Sequence, residues 1–239
     1  LLHSFAFSSA ARAFDDVLAG DPDCAMAHWG LAVSHWGNPI AGLKRGKPLE
    51  DGRAASLRGL ETGTPTARER AYLEAVSALY RDHETVDHRT RILAYERAME
   101  ALHAAYPGDR EGTAFYALAV NQTAVQSDKT FAQQLKAAAM LEALFETEPE
   151  HAGLAHYLIH AYDHPPLAER RLGAARRYAS IAPSAPHALH MPSHTFTRVG
   201  LWQESIDTNL ASAAGARKDN ATAQELHGLQ YTAYAGLPT

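Results

Sequence analysis

Cysteine is nearly absent: Cys24 is the only one in 239 residues. No internal disulfide can form, and no thiolate cluster exists to hold an iron–sulfur centre or a cysteine-based structural zinc. A metal site would have to use histidine, carboxylate or phenol. Long apolar runs are missing as well. Runs such as AAAML at 137–141 fall far below the roughly 20 residues needed to cross a bilayer, so no membrane insertion is expected. Charge of one sign is not in excess either: 22 Lys and Arg stand against 27 Asp and Glu, for a formal net charge of -5. That balance gives no electrostatic footprint for nucleic acid. The lack of disulfides fits the cytoplasm and leaves a periplasm open. The chain starts at Leu1 rather than Met, so a processed or trimmed N-terminus is expected, and an export signal stays open.

Period-2 alternation is also lacking, and runs of Val, Ile and Thr are few. Ala, Leu, Glu and Arg dominate instead, a helix-forming composition, and the fold class expected is all-α. In 5–33, FAFSSAARAFDDVLAGDPDCAMAHWGLAV, Ala10, Phe14 and Val17 recur at helical spacing. Asp21–Pro22 then ends the helix, and a second presents Met26, Trp29, Gly30 and Val33. Proline suits such a junction because it lacks an N–H that a first helical turn leaves unpaired. Thr64–Pro65 reads as another helix start.

This grammar of small residue, bulky residue, small residue, proline and a new large–small–large face resembles the tetratricopeptide repeat. It returns in 137–160 through Ala137, Leu141, Leu144 and Pro149, and more loosely through Tyr95, Met99, Leu102 and Pro107. A further unit ends at Pro183, and 200–213 reads as the second helix of another. The resemblance implies an array of antiparallel helical hairpins, a single domain over 1–239, with an irregular loop-rich insertion at about 37–65. The last helix, around 222–235, is expected to be a cap or the point where the array was cut.

The singular feature is histidine, of which the chain has 14, concentrated in about 150–200. His156 and His160 form one HxxxH pair, His190 and His194 another, and equivalent members lie 34 residues apart, as do Pro149 and Pro183. Thirty-four is the tetratricopeptide period. Residues four apart share a helix face, and first helices of adjacent hairpins pack about 8–10 Å apart. The four imidazoles are therefore candidate ligands of one metal ion. Duplicated core histidines bonded to backbone carbonyls are the competing reading. It must find polar partners for four buried rings, a need that a shared cation meets at once.

Neighbouring residues extend the set. Asp163 and His164, just before Pro165–Pro166, are candidate ligands, ring-orienting groups or catalytic bases; helix termination and capping would explain them equally. His187 shares a face with His190 or else stands in a solvated first turn. His227 and Tyr231 share a face of the last helix and are candidate further ligands or pocket walls. Pro192, inside the second pair, predicts a kink. Ser193 lacks the glycine-flanked elbow of a nucleophile. His28 and His35 flank Trp29 and Trp36 in what reads as repeat core, while His83, His88 and His103 are expected to be solvated.

At a finer level HYLIHAYDHP and HALHMPSH resemble strings shared by a group of His-rich bacterial tetratricopeptide-repeat proteins. That resemblance implies that His156, His160, Asp163, His190 and His194 belong to one site, and it carries no activity with it. Imidazole ligation suits zinc or copper, whereas magnesium and calcium demand oxygen. Four ligands would make a closed zinc site. Three would leave a position for water activation, with Asp163 or His164 as base, or for redox chemistry at copper. The functional expectation is a metal-binding protein, as an enzyme a metal-dependent hydrolase or copper oxidoreductase acting on a small molecule. The alternatives are a metal-free scaffold that binds peptides and a metal-free enzyme using His and Asp as acid and base.

Overall fold

In a computed structural model, which describes residues 1–62 and 66–237, the protein is all-helical, as the composition predicts, and no strand occurs among the described residues. The helices are α1 Phe7–Gly20, α2 Ala25–Trp36, α3 Lys47–Glu61, α4 Ala67–Ala78, α5 His88–Ala105, α6 Arg110–Thr123 and α7 Ala132–Phe145. They continue with α8 Ala152–Ala161, α9 Leu172–Ile181, α10 Pro186–His190, α11 Pro192–Arg198, α12 Trp202–Lys218 and α13 Thr222–Gly236. Neighbours in sequence pack as pairs, among them α1 with α2, α5 with α6, α8 with α9 and α12 with α13, the arrangement of a helical-hairpin array. No described helix is long and apolar enough to cross a membrane.

Where a single domain was expected, the chain divides by contact into two compact units, Leu1–Ala137 and Ala138–Thr239, the division falling inside α7. In the first unit, helix starts are set by side chains that satisfy amides the first turn leaves open. Thr66 and Glu69 form a reciprocal capping box at α4, Asp87 accepts from the Thr90 amide, and Asp109 accepts from the Gly112 amide. The expected start at Thr64–Pro65 lies outside the described residues.

One stretch departs from the sequence reading. The loop expected over about 37–65 contains α3, a helix of 15 residues. Its buried face is Leu49, Gly52, Ser56 and Gly59, small residues with a single large apolar side chain among them. They serve close approach instead. A Cβ on Gly52 would meet the Tyr80 ring, and one on Gly59 would meet Leu73 and His28. Nor are two of the three histidines expected to be solvated fully so. His88 stacks on Trp36 with ring centroids 5.4 Å apart, and His103 Nδ1 lies 2.9 Å from Thr113 Oγ1.

The second unit builds its core from Ala155, Ile159, Ala175, Tyr178, Ala185, Ala188, Met191 and Phe196, donated by α8, α9 and the α10–α11 segment. Helices α8 and α10 begin at Ala152 and Pro186, again 34 residues apart. His156 and His190 thus hold the same position, fifth in their helices. The kink predicted at Pro192 is a break: α10 ends at His190, Met191 intervenes and α11 starts with the proline at its first position, where its missing N–H costs nothing.

Candidate metal centre

Each HxxxH pair meets through Nε2. His156 and His160 place these atoms 3.1 Å apart, His190 and His194 2.9 Å apart. The four rings do not gather on one point; each pair is joined by a third histidine, making two groups of three. His187 Nε2 approaches His156 Nε2 to 3.1 Å, and His227 brings its ring centroid within 4.5 Å of that of His190. In each group, His156–His160–His187 and His190–His194–His227, one ligand atom from every residue lies within 4.8 Å of the others. His187 is half-buried rather than solvated, its ring lying edge-on against that of His156 with centroids 4.9 Å apart. The first group is otherwise buried, with His156 at 0% exposure, whereas the second runs from buried His190 to exposed His227.

The other nitrogens fix what these Nε2 atoms offer. His190 Nδ1 is 2.6 Å from Asn209 Oδ1, and the Asn209 amide nitrogen donates to the Ser205 carbonyl at 2.7 Å. Turning the amide over would set oxygen against that carbonyl, so Oδ1 faces His190 and can only accept. His190 therefore carries its proton on Nδ1. His194 Nδ1 donates in the same way to Asp163 Oδ2 at 2.8 Å. Both rings, when neutral, direct an Nε2 lone pair at the other across 2.9 Å, and no hydrogen bond can form between two acceptors. A positive charge between them, a proton or a metal ion, resolves the contact. Two nitrogens about 2.1 Å from one ion stand about 3.0 Å apart at a right angle and about 3.4 Å apart at a tetrahedral one. The observed spacings need only a small outward adjustment.

Burial, the largest influence on each, holds His160 and His187 well below the ordinary histidine pKa, with neighbouring histidines adding to it. His190 is lowered to about 3, burial again leading. His227 is lowered by burial and by His194. These rings are neutral near pH 7, the form that ligates.

Asp163 is placed differently from a base. Burial, its largest single influence, would raise its pKa, but the hydrogen bond from His194 and the charges of His194, Arg171 and Arg198 together hold it well below the ordinary range. Arg171 Nη2 and Arg198 Nε reach Oδ1 at 3.3 and 3.2 Å. A carboxylate so engaged orients His194, as an outer partner of a metal-bound imidazole does. His164 belongs to neither histidine group; its backbone bridges the turn after α8, donating to the Tyr162 carbonyl and accepting from Leu167. Ser193 is fully buried with Oγ toward Asn209, out of reach of a substrate.

Tyr231 packs edge-on against His190 at 4.8 Å and lies 5.1 Å from the His194 ring. Burial, its main influence, raises its pKa, so it stays a neutral phenol near pH 7. With Asp163, His194, Thr197, Arg198, Gln230 and Tyr234 it lines a cavity of about 270 Å³, which His194 alone of the second histidine group borders. Asn209, Arg171 and Arg198 are the site residues that the motifs did not announce. No protein-family model matches the chain, and no curated protein matches it.

Proposed function

We propose that the second unit binds a transition metal, zinc or copper, on its histidine groups, within an array of the tetratricopeptide kind. The single observation that carries this reading is the His190–His194 contact. Both Nδ1 protons are committed, to Asn209 and Asp163, which leaves two lone pairs face to face at 2.9 Å. The 34-residue spacing of α8 and α10 supports the repeat assignment. Nitrogen-only ligation favours zinc or copper over magnesium or calcium. Three imidazoles, of which His194 lines an open cavity and His227 is exposed, leave a coordination position that solvent can reach, the requirement shared by a hydrolase that activates water and a copper oxidoreductase. Tyr231 and Arg198 stand where a small polar substrate would contact them.

A second reading, a metal-free binding scaffold, is favoured by one observation. The first unit has a cavity of about 420 Å³ lined by Phe14, Trp29, Tyr72 and Phe115 with Arg68 and Glu111. Apolar walls with a few polar groups suit a small molecule or a peptide side chain.

The two readings separate on metal content. Protein purified without a histidine tag and exposed to zinc or copper is expected to retain metal by mass spectrometry and to lose it in the His156→Ala, His190→Ala double variant. Metal-free protein under those conditions, with folding unchanged by both substitutions, would put the scaffold ahead.

A further inference from the structure

The two histidine groups are contiguous. His187 and His190 have ring centroids 6.0 Å apart, and His160 and His194 6.3 Å apart. Each pair spans the two groups, yet His160 and His187, within one group, are 6.4 Å apart. Rings of different groups thus come as near each other as the two most separated rings of the first group. Helix α10 interleaves them by sending His187 to one and His190 to the other.

We propose that this is a dinuclear centre, with one first-row transition ion on His156, His160 and His187 and a second, a few ångströms away, on His190, His194 and His227. The proposal rests on the metal-binding reading above and extends it from one ion to two. Six imidazoles exceed what a four-coordinate zinc or copper ion accepts, whereas three per ion leave each a free position. Duplication supplies the symmetry, since each ion begins from an HxxxH pair at equivalent places in α8 and in α10–α11. The third ligand breaks it: His187 comes from the first turn of α10, His227 from α13. One ion would therefore be enclosed and the other would face the cavity beside Tyr231 and Arg198. Both groups consist of histidine alone, and Asp163 is taken up by His194 and two arginines. A pair of nitrogen-preferring ions, copper or zinc, fits this donor set, and a carboxylate-bridged pair does not.

Counting ions tests the idea. Tag-free protein is loaded with zinc or copper(II), freed of excess, and weighed by native mass spectrometry beside elemental analysis. Two ions per chain are expected, falling to one in His187→Ala, to one in His227→Ala, and to none in the double variant. His187 is half-buried and His227 exposed, so these truncations spare the core, and circular dichroism checks that they fold. With copper, two neighbouring Cu(II) ions would couple and suppress the ordinary mononuclear resonance signal, which each single variant restores. A single ion per chain, whether or not His187→Ala removes it, overturns the dinuclear proposal and leaves the metal-binding reading standing. No ion at all overturns both.

Discussion

His190 donates from Nδ1 to Oδ1 of Asn209 across 2.6 Å, and both side chains are buried. That bond decides which imidazole nitrogen is left for a ligand, and a buried polar residue on α12 therefore governs chemistry on α10. Outer partners of this kind commonly contribute 10–100-fold to metal affinity. Asn209→Ala is expected to weaken metal binding by about that factor, which competition against a coloured chelator measures. Equal affinity in the alanine variant would mean that Asn209 merely fills space.

Two arginines hold the same Asp163 oxygen, and burial separates their energetic roles. Arg171 is fully buried and also donates to the Ile159 carbonyl near the end of α8. Burial, its dominant influence, lowers its pKa to about 10, opposed by the nearby Asp163 carboxylate, so it stays charged at neutral pH. Arg171→Met would leave the Ile159 carbonyl unpaired in the interior and take away one of three donors to Asp163, at an expected cost of about 1–3 kcal/mol. Arg198 is 45% exposed, and Arg198→Met should cost about 0–1 kcal/mol. Urea denaturation of the two variants should differ by several-fold in free energy; similar losses would contradict the assignment.

Much of this architecture was legible before any coordinates, because helical periodicity and proline placement are local signals. The histidine pairs were legible for the same reason, their i,i+4 spacing and 34-residue offset being readable from the letters alone. The grouping by threes was not. It depends on where α13 carries His227 and on the break at Met191, which tertiary packing sets. Asn209 was invisible because an asparagine in a helix reads as a surface residue. Asp163 was noticed, but its work as an orienting group follows from Arg171 and Arg198, which the motif does not contain. Helix α3 was missed because its buried face is made of small residues, and periodicity analysis searches for large ones.

That small-residue face makes its own prediction. A Cβ at Gly52 would lie 2.2 Å from Cζ of Tyr80, a residue with no solvent exposure whose hydroxyl donates to the Ala32 carbonyl. The ring cannot yield without breaking that bond. Gly52→Ala should therefore destabilise by about 1–3 kcal/mol, the usual cost of overpacking. Gly20, at the end of α1, has nothing within 4 Å of its would-be Cβ, so Gly20→Ala should be neutral or slightly stabilising. Thermal unfolding of the pair isolates close packing from helix propensity, and a stable Gly52→Ala protein would show that α3 is not pressed against Tyr80.

Asp109 gives a pH dependence whose sign can be worked out. It caps α6 through the Gly112 amide at 3.0 Å and accepts from Arg68 at 2.6 Å and from the Tyr72 hydroxyl at 2.8 Å. Burial, the largest single influence, would raise its pKa, but those three donors and the Arg68 charge prevail and lower it. The folded protein thus binds this proton less readily than the unfolded chain, where the value is about 3.9. Its stabilisation is complete above that unfolded value and drains away as pH falls toward the depressed folded one. Asp109→Asn keeps a helix-capping acceptor and removes the charge, so it should cost about 1 kcal/mol at about pH 6, and less at about pH 3. Parallel urea titrations of parent and variant at the two pH values read the difference directly. A gap that stayed constant or widened in acid would show that the carboxylate is not held ionised by Arg68 and Tyr72.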